Sequence, residues 1–340
     1  MQVKHVLATG VAGFGGHHLV EHLLATTDWR ITGLVSFKHQ GCPRRLAHLH
    51  PNERLRIIYT DLASPITART MDTIVDPGPV DVVINAAAQS HVDRSISDPV
   101  PFVANNVAVV LHMLEAARAL NPRVFLQVST DEVYGPAAPG YAHREWDPAI
   151  PSNPYAASKS AQEAIAISYW RTYGVPVVVT NTMNLIGERQ DVEKFVPMTI
   201  AKIARGEEVV IHGSPPNVGS RYYLHARNWA DAHRFLALRK PAQYVDPALG
   251  GAAVQMPDRW HVVGEREVDN LEMAERIASF VGRPLRHRFE DFHSTRPGHD
   301  RRYALDGAKL AAAGWKLPVP LDASLERTVR WTLEHPEWMR

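Results

Sequence analysis

The sequence is short of cysteine and of charge of one sign. Cys42 is the only cysteine in 340 residues, which excludes an internal disulfide and a cysteine-based metal cluster and is typical of a reducing compartment. Lysine and arginine together number 37, and aspartate and glutamate 36, so the formal net charge is +1. Because no basic or acidic block stands out, the composition gives no support for a nucleic-acid partner.

Long apolar runs are scarce as well. No uninterrupted run approaches the roughly 20 residues that a membrane span needs, and the first residues, MQVKHVLATG, begin a strand rather than a charged leader. We therefore expect a cytoplasmic protein with no membrane partner. The 18 histidines are scattered, and those of GGHHL and LAHLHP lack the spacing that places two ligands on one helical face beside a third. No metal site is predicted.

Short β-branched segments alternate with amphipathic ones along the first half of the chain. The strand-like segments are apolar throughout, as strands covered on both faces are. Strand–helix–strand repetition implies right-handed crossovers. The sequence therefore predicts an α/β protein with a Rossmann-type, doubly wound parallel sheet, whose strands fall at residues 5–10, 29–35, 54–61, 80–87, 123–130 and 175–181.

The pattern of predicted elements changes after residue 184, where proline-bearing loops such as IHGSPPNVGSR separate short helices. We therefore predict an NAD(P)-binding Rossmann domain over residues 1–183 and a smaller C-terminal α/β substrate lobe over residues 184–340. Some strands of the second lobe are expected to return to the main sheet. Within it, residues 244–259 (YVDPALGGAAVQMPDR) are predicted to form a flexible insertion.

A glycine motif, ATGVAGFGGHHLV, follows the first predicted strand and opens the first helix. Gly10, Gly13 and Gly16 form a G-x-x-G-x-x-G pattern there. Glycine permits a tight turn and a close approach to pyrophosphate, and the helix N-terminus favours the anion. The strand–turn–helix context favours dinucleotide binding over the alternative, a glycine-rich turn without a ligand.

The end of the second strand bears on the choice between NAD and NADP. An acidic residue is expected about 20 residues after the glycine motif to bind the ribose hydroxyls, yet Val35 and Ser36 stand there. Lys38 and Arg45 follow, and their charges favour NADP; the alternative is a solvated cationic loop. Asp61, at the end of the third strand, could accept a hydrogen bond from the adenine amino group or serve only as a cap.

Tyr155 and Lys159 form a Y-x-x-x-K pair in PYAASK. Residues four apart share a face of a helix, so the ammonium can lie beside the phenol. A nearby cation favours phenolate, and we expect it to lower the pKa of Tyr155 from about 10 towards neutrality. Tyr155 would then be a proton acceptor beside a nicotinamide, although the same spacing also arises by chance on surface helices.

Polar residues close the fifth predicted strand in STDEVYG. Asp131 and Glu132 are adjacent carboxylates directly after the apolar run RVFLQV. Two carboxyl groups with different pKa values can act as an acid and a base. The alternative is a polar turn where a buried strand reaches solvent.

Together these motifs resemble the nucleotide-sugar 4,6-dehydratases of the extended short-chain dehydrogenase/reductase family. The likeness runs nearly end to end and includes TGVAGFGG, AAAQSHVDRSISDP, STDEVYG, PYAASK, RTYGVPVVVTNTMNLIG, EKFVP and RPGHDRRYALD. The last motif resembles the nucleotide-binding end of enzymes that act on pyrimidine-diphosphosugars. The resemblance therefore implies a nucleotide-diphosphohexose substrate, with dTDP-glucose or another pyrimidine-diphosphoglucose as the first expectation.

The resemblance also implies a reaction and a role for each catalytic residue. A tightly bound NAD(P) takes hydride from sugar C4, water is eliminated across C5 and C6, and the hydride returns to C6, giving a 4-keto-6-deoxy sugar. Tyr155, next to Lys159, takes the O4 proton, and Thr130 hydrogen-bonds near O4. Glu132 is the base at C5, and Asp131 is the acid that protonates the leaving hydroxyl.

Contact residues carry over from the same resemblance. Besides Tyr155, Lys159 and the residues named above, the implied cofactor contacts are Phe14, Leu62, Ala86, Ala88 and Asn106. The implied substrate contacts are Ser90, Arg94, Asn184, Glu193, Lys194, Arg221, Arg296 and His299. Arg221 and Arg296 suit a diphosphate, because a guanidinium offers paired donors to phosphate oxygens.

Two alternatives stay open. One is another activity of the superfamily, a 4-epimerase or a 5,6-dehydratase; epimerases usually have small or hydroxyl residues in place of Asp131 and Glu132. The other is a non-catalytic NADP-binding regulator, against which the complete catalytic set argues. A homodimer through helices at residues 102–119 and 155–172 is expected by analogy with the family.

Overall fold

The computed structural model describes residues 3–245, 255–291 and 300–340. Its strands are short and mostly apolar, as the sequence predicts. They are β1 (His5–Thr9), β2 (Arg30–Val35), β3 (Leu55–Tyr59), β4 (Val82–Asn85), β5 (Val124–Thr130), β6 (Val177–Thr182), β7 (Leu185–Ile186), β8 (Val209–Ser214), β9 (Asn217–Val218), β10 (Ser220–Tyr222), β11 (Leu224–His225), β12 (Gln243–Val245), β13 (Gln255–Val262), β14 (Glu267–Asp269) and β15 (His287–Glu290).

Helices connect these strands, and several begin at a recognisable cap. Asn153, for example, accepts a hydrogen bond from the N–H of Ala156 and is followed by a proline in the first turn. The described α-helices are α1 (Phe14–Thr26), α2 (Ala68–Val75), α3 (Val92–Ser97), α4 (Pro99–Leu120), α5 (Pro154–Tyr173), α6 (Phe195–Arg205), α7 (Ala226–Ala237), α8 (Asn270–Val281), α9 (Ala308–Ala312) and α10 (Leu321–Glu334).

The main sheet has eight strands in the order β12-β13-β6-β5-β4-β1-β2-β3. Seven of them run parallel, and β12 is antiparallel to its neighbour β13 at the edge. The strand order reverses between β1 and β4, so the crevice above their carboxyl ends is where ligands bind in such sheets. The predicted Rossmann-type, doubly wound fold is confirmed.

Helices cover both faces of the sheet, and alternate residues of each strand point to opposite faces. Val6 and Ala8 of β1 pack with α1 and α7, including the buried Trp229. Leu7, between them, packs with α4, including Met113. All five residues of β1 are buried, which explains why the strand is apolar throughout rather than alternating.

The second lobe has its own hydrophobic cluster, built mainly from α6, α8, α10 and β8. The C-terminal part of the chain does not lie wholly in this lobe, because β13 returns to the main sheet beside β6. The prediction of a flexible insertion at residues 244–259 is therefore wrong at its C-terminal end, where residues 255–259 belong to β13. Residues 246–254 of that segment lie outside the described residues.

Helix α4 is apolar and long enough, by length and composition, to cross a membrane; it is the one such helix in the ranges that the structure describes. The prediction from the sequence considered only uninterrupted apolar runs. It did not identify α4, because Asn105, Asn106 and His112 interrupt the apolar run of this helix. About 44% of its most apolar window is buried inside the protein. Val110 and Met113 pack against the sheet, as in the core helix of a globular protein.

Candidate active site

A cavity of about 670 Å³ lies at the carboxyl ends of the parallel strands, next to the second lobe. It is lined by all five predicted catalytic residues, Thr130, Asp131, Glu132, Tyr155 and Lys159. It is also lined by the predicted contacts Gly10, Gly13, Phe14, Gly16, Ser36, Lys38, Asp61, Leu62, Ala86, Ala88, Ser90, Arg94, Asn184, Glu193, Lys194 and Arg221. The remaining predicted substrate contacts, Arg296 and His299, lie outside the described residues.

The glycine turn between β1 and α1 leaves no room for larger residues. Gly10 has a φ of +68°, in the left-handed region that favours glycine. A Cβ at Gly16 would lie 2.1 Å from the carbonyl oxygen of Gly10. Gly13 caps α1 and donates a 2.9 Å hydrogen bond to the same oxygen. The turn therefore exposes backbone N–H groups at the start of α1, which fits a pyrophosphate.

The adenosine end of the cavity has no carboxylate on β2 but has one beyond β3. Val35 is buried at the end of β2 and lines the cavity. Lys38 donates a short hydrogen bond to Asp61, and this bond lowers the pKa of Asp61. The Lys38 ammonium is thus partly neutralised by the Asp61 carboxylate at the cavity edge.

Two predicted cofactor contacts lie outside the cavity walls, and both hold neighbouring loops instead. The Arg45 guanidinium is fully buried and pairs with Asp191 at 2.8 Å, so it does not face a 2′-phosphate. Asn106 accepts a hydrogen bond from the N–H of Gln89 and donates one to the Gln89 carbonyl. Arg45 and Asn106 therefore do not line the cavity, and their role as cofactor contacts stays a prediction.

A buried chain of hydrogen bonds runs beneath the site across three neighbouring strands. Thr9 on β1 donates to Asn85 on β4 at 2.8 Å, and Asn85 donates to Gln127 on β5 at 2.8 Å. Gln127 continues to Gln162 on α5 at 3.3 Å, and Gln162 accepts a 2.6 Å bond from Lys159. The position of Lys159 is thereby linked to the strand that carries the glycine turn.

Tyr155 and Lys159 lie on the buried face of α5, but their electrostatics differ from the prediction. Burial, followed by the charge of Glu132, raises the pKa of Tyr155, although a hydrogen bond with Thr130 opposes this. The Lys159 ammonium donates to the Val128 carbonyl at 2.7 Å, and burial lowers the pKa of Lys159 to about 8. The expected lowering of the Tyr155 pKa is wrong, because burial and the Glu132 charge raise it.

Asp131 and Glu132 follow β5 in a single 3₁₀ turn and have different surroundings. Asp131 is 3% exposed, accepts a 2.8 Å hydrogen bond from Thr130, and has a second carboxyl oxygen with no hydrogen-bond partner. Burial, and then the Glu132 charge, raises the pKa of Asp131 to about 7. Glu132 accepts hydrogen bonds from Asn153 at 3.2 Å and Tyr303 at 3.4 Å. The pair is therefore a candidate acid and base facing one cavity.

The start of α6 supplies charged groups to the opposite wall of the cavity. Glu193 accepts a 2.9 Å hydrogen bond from Arg94. The Lys194 ammonium donates to the Ser90 carbonyl at 3.3 Å, and burial lowers the pKa of Lys194 against the attraction of Glu132. These contacts bring the predicted substrate residues of two distant segments to the same wall.

Arg221 and Asn184 complete the predicted set of substrate residues in the described part of the chain. The Arg221 guanidinium donates to the carbonyls of Asp300 and Arg301 at 2.7 and 2.6 Å. The side-chain oxygen of Asn184 is buried without a hydrogen-bond partner. A buried acceptor without a donor is costly, so Asn184 offers a polar contact for a ligand in the cavity.

Comparison with known proteins gives this site a family. The protein-family model for GDP-mannose 4,6 dehydratase matches residues 7–328. A dTDP-glucose 4,6-dehydratase from Actinoplanes sp. is 34% identical over 98% of this chain and 99% of its own. The chain belongs to the nucleotide-sugar 4,6-dehydratases of the extended short-chain dehydrogenase/reductase family. The resemblance inferred from the motifs is confirmed.

Solved structures of this superfamily share the whole architecture. The dTDP-glucose 4,6-dehydratase DesIV from Streptomyces venezuelae, determined with NAD bound, superposes with a TM-score of 0.82 at 30% identity and covers 98% of both chains. A Thermus thermophilus UDP-glucose 4-epimerase complex with NAD superposes with a TM-score of 0.81 at 25% identity, over 96% of this chain and 98% of its own. The fold is thus common to dehydratases and epimerases, and the side chains of the site must distinguish them.

Two residues that contact the candidate base of this dehydratase were missed in the sequence. Tyr303 lies within the RYALD motif, and the ring lies 4.4 Å from the Arg221 guanidinium. Its hydroxyl contacts Glu132, but a tyrosine 171 residues away carries no local signal of that contact. The sequence does indicate a role for Asn153 as a helix cap, because an asparagine before a proline is a typical helix start. Its additional bond to Glu132 depends on the tertiary structure.

Proposed function

We propose that the protein removes water from a nucleotide-diphosphohexose and gives the 4-keto-6-deoxy sugar nucleotide. The observation that supports this most directly is the buried Asp131 carboxyl, whose pKa is raised to about 7, beside Glu132 and in the same cavity as Tyr155. An elimination needs an acid that still holds a proton near neutral pH and a base next to it. A solvated turn would give neither the burial nor the shared cavity.

The glycine turn would hold NAD(P), and α5 would hold the groups that act on sugar O4. When bound, NAD(P) supplies a hydride acceptor for C4 and a hydride donor for C6 within one cycle. Tyr155 takes the O4 proton, and Thr130, which hydrogen-bonds Tyr155, orients that hydroxyl. Burial raises the pKa of Tyr155 and so opposes this proton transfer, whereas a nearby cation would favour it.

The carboxyl pair performs the elimination. Glu132 removes the C5 proton, which the neighbouring 4-keto group makes acidic, and Asp131 gives its proton to the departing C6 hydroxyl. The C5–H and C6–O bonds break, a C5–C6 double bond forms, and one water leaves. The hydrogen bonds from Asn153 and Tyr303 hold Glu132 in place for this step.

The proposed substrate is dTDP-glucose or another pyrimidine-diphosphoglucose. Supporting it are the relatives named dTDP-glucose 4,6-dehydratase and the contacts of Arg221 with the backbone carbonyls of Asp300 and Arg301, directly before RYALD. The test is a panel of dTDP-, UDP-, CDP- and GDP-hexoses with NAD or NADP, scored for 4-keto-6-deoxy product by mass spectrometry. Product from a pyrimidine nucleotide is expected, and turnover of no member of the panel would refute the proposal.

A 4-epimerase is the main rival, and label transfer separates it from a dehydratase. Deuterium at C4 should appear at C6 of a dehydratase product. An epimerase would return the deuterium to C4 and release no water. A 5,6-dehydratase would also leave C6 unlabelled. A non-catalytic regulator would bind the cofactor and leave the sugar unchanged. Asp131 and Glu132 favour the dehydratase.

NADP is the proposed cofactor form. The support is narrower than the sequence indicated: Val35 removes the repulsion of a carboxylate at β2, and Lys38 stands at the cavity edge, whereas Arg45 does not contribute. Fluorescence titration with NADPH and NADH tests this, and tighter binding of NADPH is expected. Equal binding, or a preference for NADH, would contradict it. Val35→Asp should shift the preference towards NADH.

A cytoplasmic homodimer through α4 and α5 is also proposed. These helices pack side by side and leave large apolar side chains exposed, including Leu111 on α4 and Tyr173 on α5. Exposed apolar surface on paired helices is typical of a symmetric interface. Light scattering after size-exclusion chromatography should give twice the chain mass of 37.9 kDa. Leu111→Glu should give the monomer, and a monomeric native protein would contradict the proposal.

A further inference from the structure

Two adjacent histidines on α1 are buried away from the cavity, in a place the dehydratase chemistry does not use. His17 and His18 are both 0% exposed, and their ring centroids lie 4.0 Å apart. Glu21, one turn further along α1, brings a carboxylate to the same place. One ligand atom from each of these three residues lies within 4.8 Å of the other two.

The hydrogen bonds of both rings fix which nitrogen keeps a lone pair. His17 Nδ1 contacts the Gly13 carbonyl at 3.2 Å, and His18 Nε2 contacts the Glu188 carbonyl at 3.0 Å. A carbonyl only accepts, so each of these nitrogens carries the hydrogen. His17 Nε2 and His18 Nδ1 are left as bare acceptors, and both are buried without a hydrogen-bond partner.

The third ligand atom is in the same condition. Glu21 Oε1 accepts a 3.1 Å hydrogen bond from Arg227, whereas Glu21 Oε2 is buried without a hydrogen-bond partner. His48 Nε2 lies 3.4 Å from Glu21 Oε2. Ligands about 2.0–2.1 Å from a tetrahedral ion are about 3.3–3.4 Å apart, so the separation of His48 from Glu21 is that of two ligands of one ion. His48 is not in the group of ligand atoms that lie within 4.8 Å of one another, so it would have to move closer to His17 and His18 to complete the set.

The surrounding charges do not forbid a cation. Arg45 is paired with Asp191, and Arg227 contacts Glu188 as well as Glu21, so carboxylates offset both guanidinium charges. Arg189, whose guanidinium stacks on Trp331, is a third cation close enough to act on His17 and His48. A metal-binding histidine usually donates its other ring N–H to a backbone carbonyl, which is the arrangement of His17 and His18.

We propose that His17, His18, Glu21 and His48 form a structural site for a borderline divalent metal ion, with zinc as the best match to a His₃-carboxylate set. The ion would satisfy the two buried histidine acceptors that have no donor in the described structure, and would also bind Glu21 Oε2, which the His48 ring approaches. It would also tie the loop carrying His48 to the helix that begins at the glycine turn. The site would be structural, because all four ligands come from the protein.

Metal content and cobalt spectra test the site without any turnover, so the result is independent of the proposed function. The full chain, free of any affinity tag, is dialysed against chelator and then against one equivalent of Zn²⁺ or Co²⁺. We expect about one bound ion per chain by mass spectrometry, the visible absorption of tetrahedral Co²⁺, and a higher Tm with zinc.

Matched variants assign the ion to these residues. His17→Gln and Glu21→Gln should each lower the metal content at least about tenfold, while His22→Gln, whose ring contacts Asp231 instead, should bind as the parent does. If His17→Gln does not fold by circular dichroism, Glu21→Gln decides. No uptake by the parent, as when a buried water alone fills the site, overturns the proposal. Equal uptake by Glu21→Gln overturns it as well.

Discussion

The Asp131 carboxyl lies buried beside Glu132, and it titrates near neutral pH rather than near 4. Burial is the larger cause and the Glu132 charge the second. A carboxyl with a raised pKa keeps its proton below about pH 7 and loses it above. The turn after β5 therefore holds a proton at the pH where most enzymes work.

The first prediction concerns the pH dependence of turnover. Because the acid must be protonated, kcat should fall as pH rises through about 7, the raised pKa of Asp131. Asp131→Asn should lower kcat by about 10²- to 10⁴-fold and remove this limb of the profile. Initial rates between pH 5.5 and 9 measure both effects. A parent profile that is flat from pH 6 to 9 would contradict the assignment of Asp131 as the acid.

A second prediction separates the base from the acid. Glu132→Gln should abolish exchange of the C5 hydrogen with solvent deuterium, because no carboxylate remains to remove it. Binding of the cofactor should be unchanged, since Glu132 contacts Asn153 and Tyr303 rather than the glycine turn. Proton NMR of sugar nucleotide recovered from D₂O measures the exchange. Exchange at the parent rate in Glu132→Gln would move the base to another residue.

The glycine turn gives a third prediction with a neighbouring control. Gly16→Ala should weaken dinucleotide binding at least about tenfold or prevent folding, because its Cβ would lie 2.1 Å from a backbone oxygen. Gly15→Ala should be tolerated, since its Cβ would meet only side chains of Leu185 and Trp229 at 3.4 Å or more. Cofactor titration and Tm report both variants. Equal cofactor affinity and equal Tm for Gly16→Ala and Gly15→Ala would contradict the role given to the glycine turn.

The fourth prediction concerns the buried ion pair behind β5 and β6. Glu163 and Arg259 are both nearly fully buried and lie 2.7 Å apart. Glu163→Gln leaves the guanidinium without its counter-charge and should reduce the free energy of unfolding by about 3–5 kcal/mol. Glu326→Gln breaks an exposed pair with Arg330 on α10 and should cost less than about 1 kcal/mol. Urea denaturation measures both, and a loss for Glu163→Gln no larger than the control would count against this view.

Local sequence was enough to predict six of the eight strands of the main sheet and five polar side chains that line one cavity, but not the electrostatics of those side chains. The strand–turn–helix around Gly10 and the Y-x-x-x-K spacing are local patterns, so their placement followed from short-range rules. The direction of the Tyr155 pKa depends on burial and on the charge of Glu132. Both depend on the tertiary fold, which the Y-x-x-x-K spacing alone does not reveal.

Loops were the other source of error. Arg45 looked like a free cation because the sequence does not show that Asp191, far along the chain, pairs with it. The prediction that the histidines of GGHHL and LAHLHP bind no metal stays a prediction. The proximity of His48 to Glu21 was not visible in the sequence, because it depends on the tertiary fold.

The hydrogen-bonded chain from Thr9 through Asn85 to Gln127 has a consequence for how this lineage can change. Each of these side chains satisfies its neighbour on the next strand, so a single replacement leaves a buried partner unsatisfied. We therefore expect substitutions at these three positions to occur together, each compensated by a change in the side chain to which it is hydrogen-bonded. The floor of the site should evolve as one unit while the surrounding loops diverge freely.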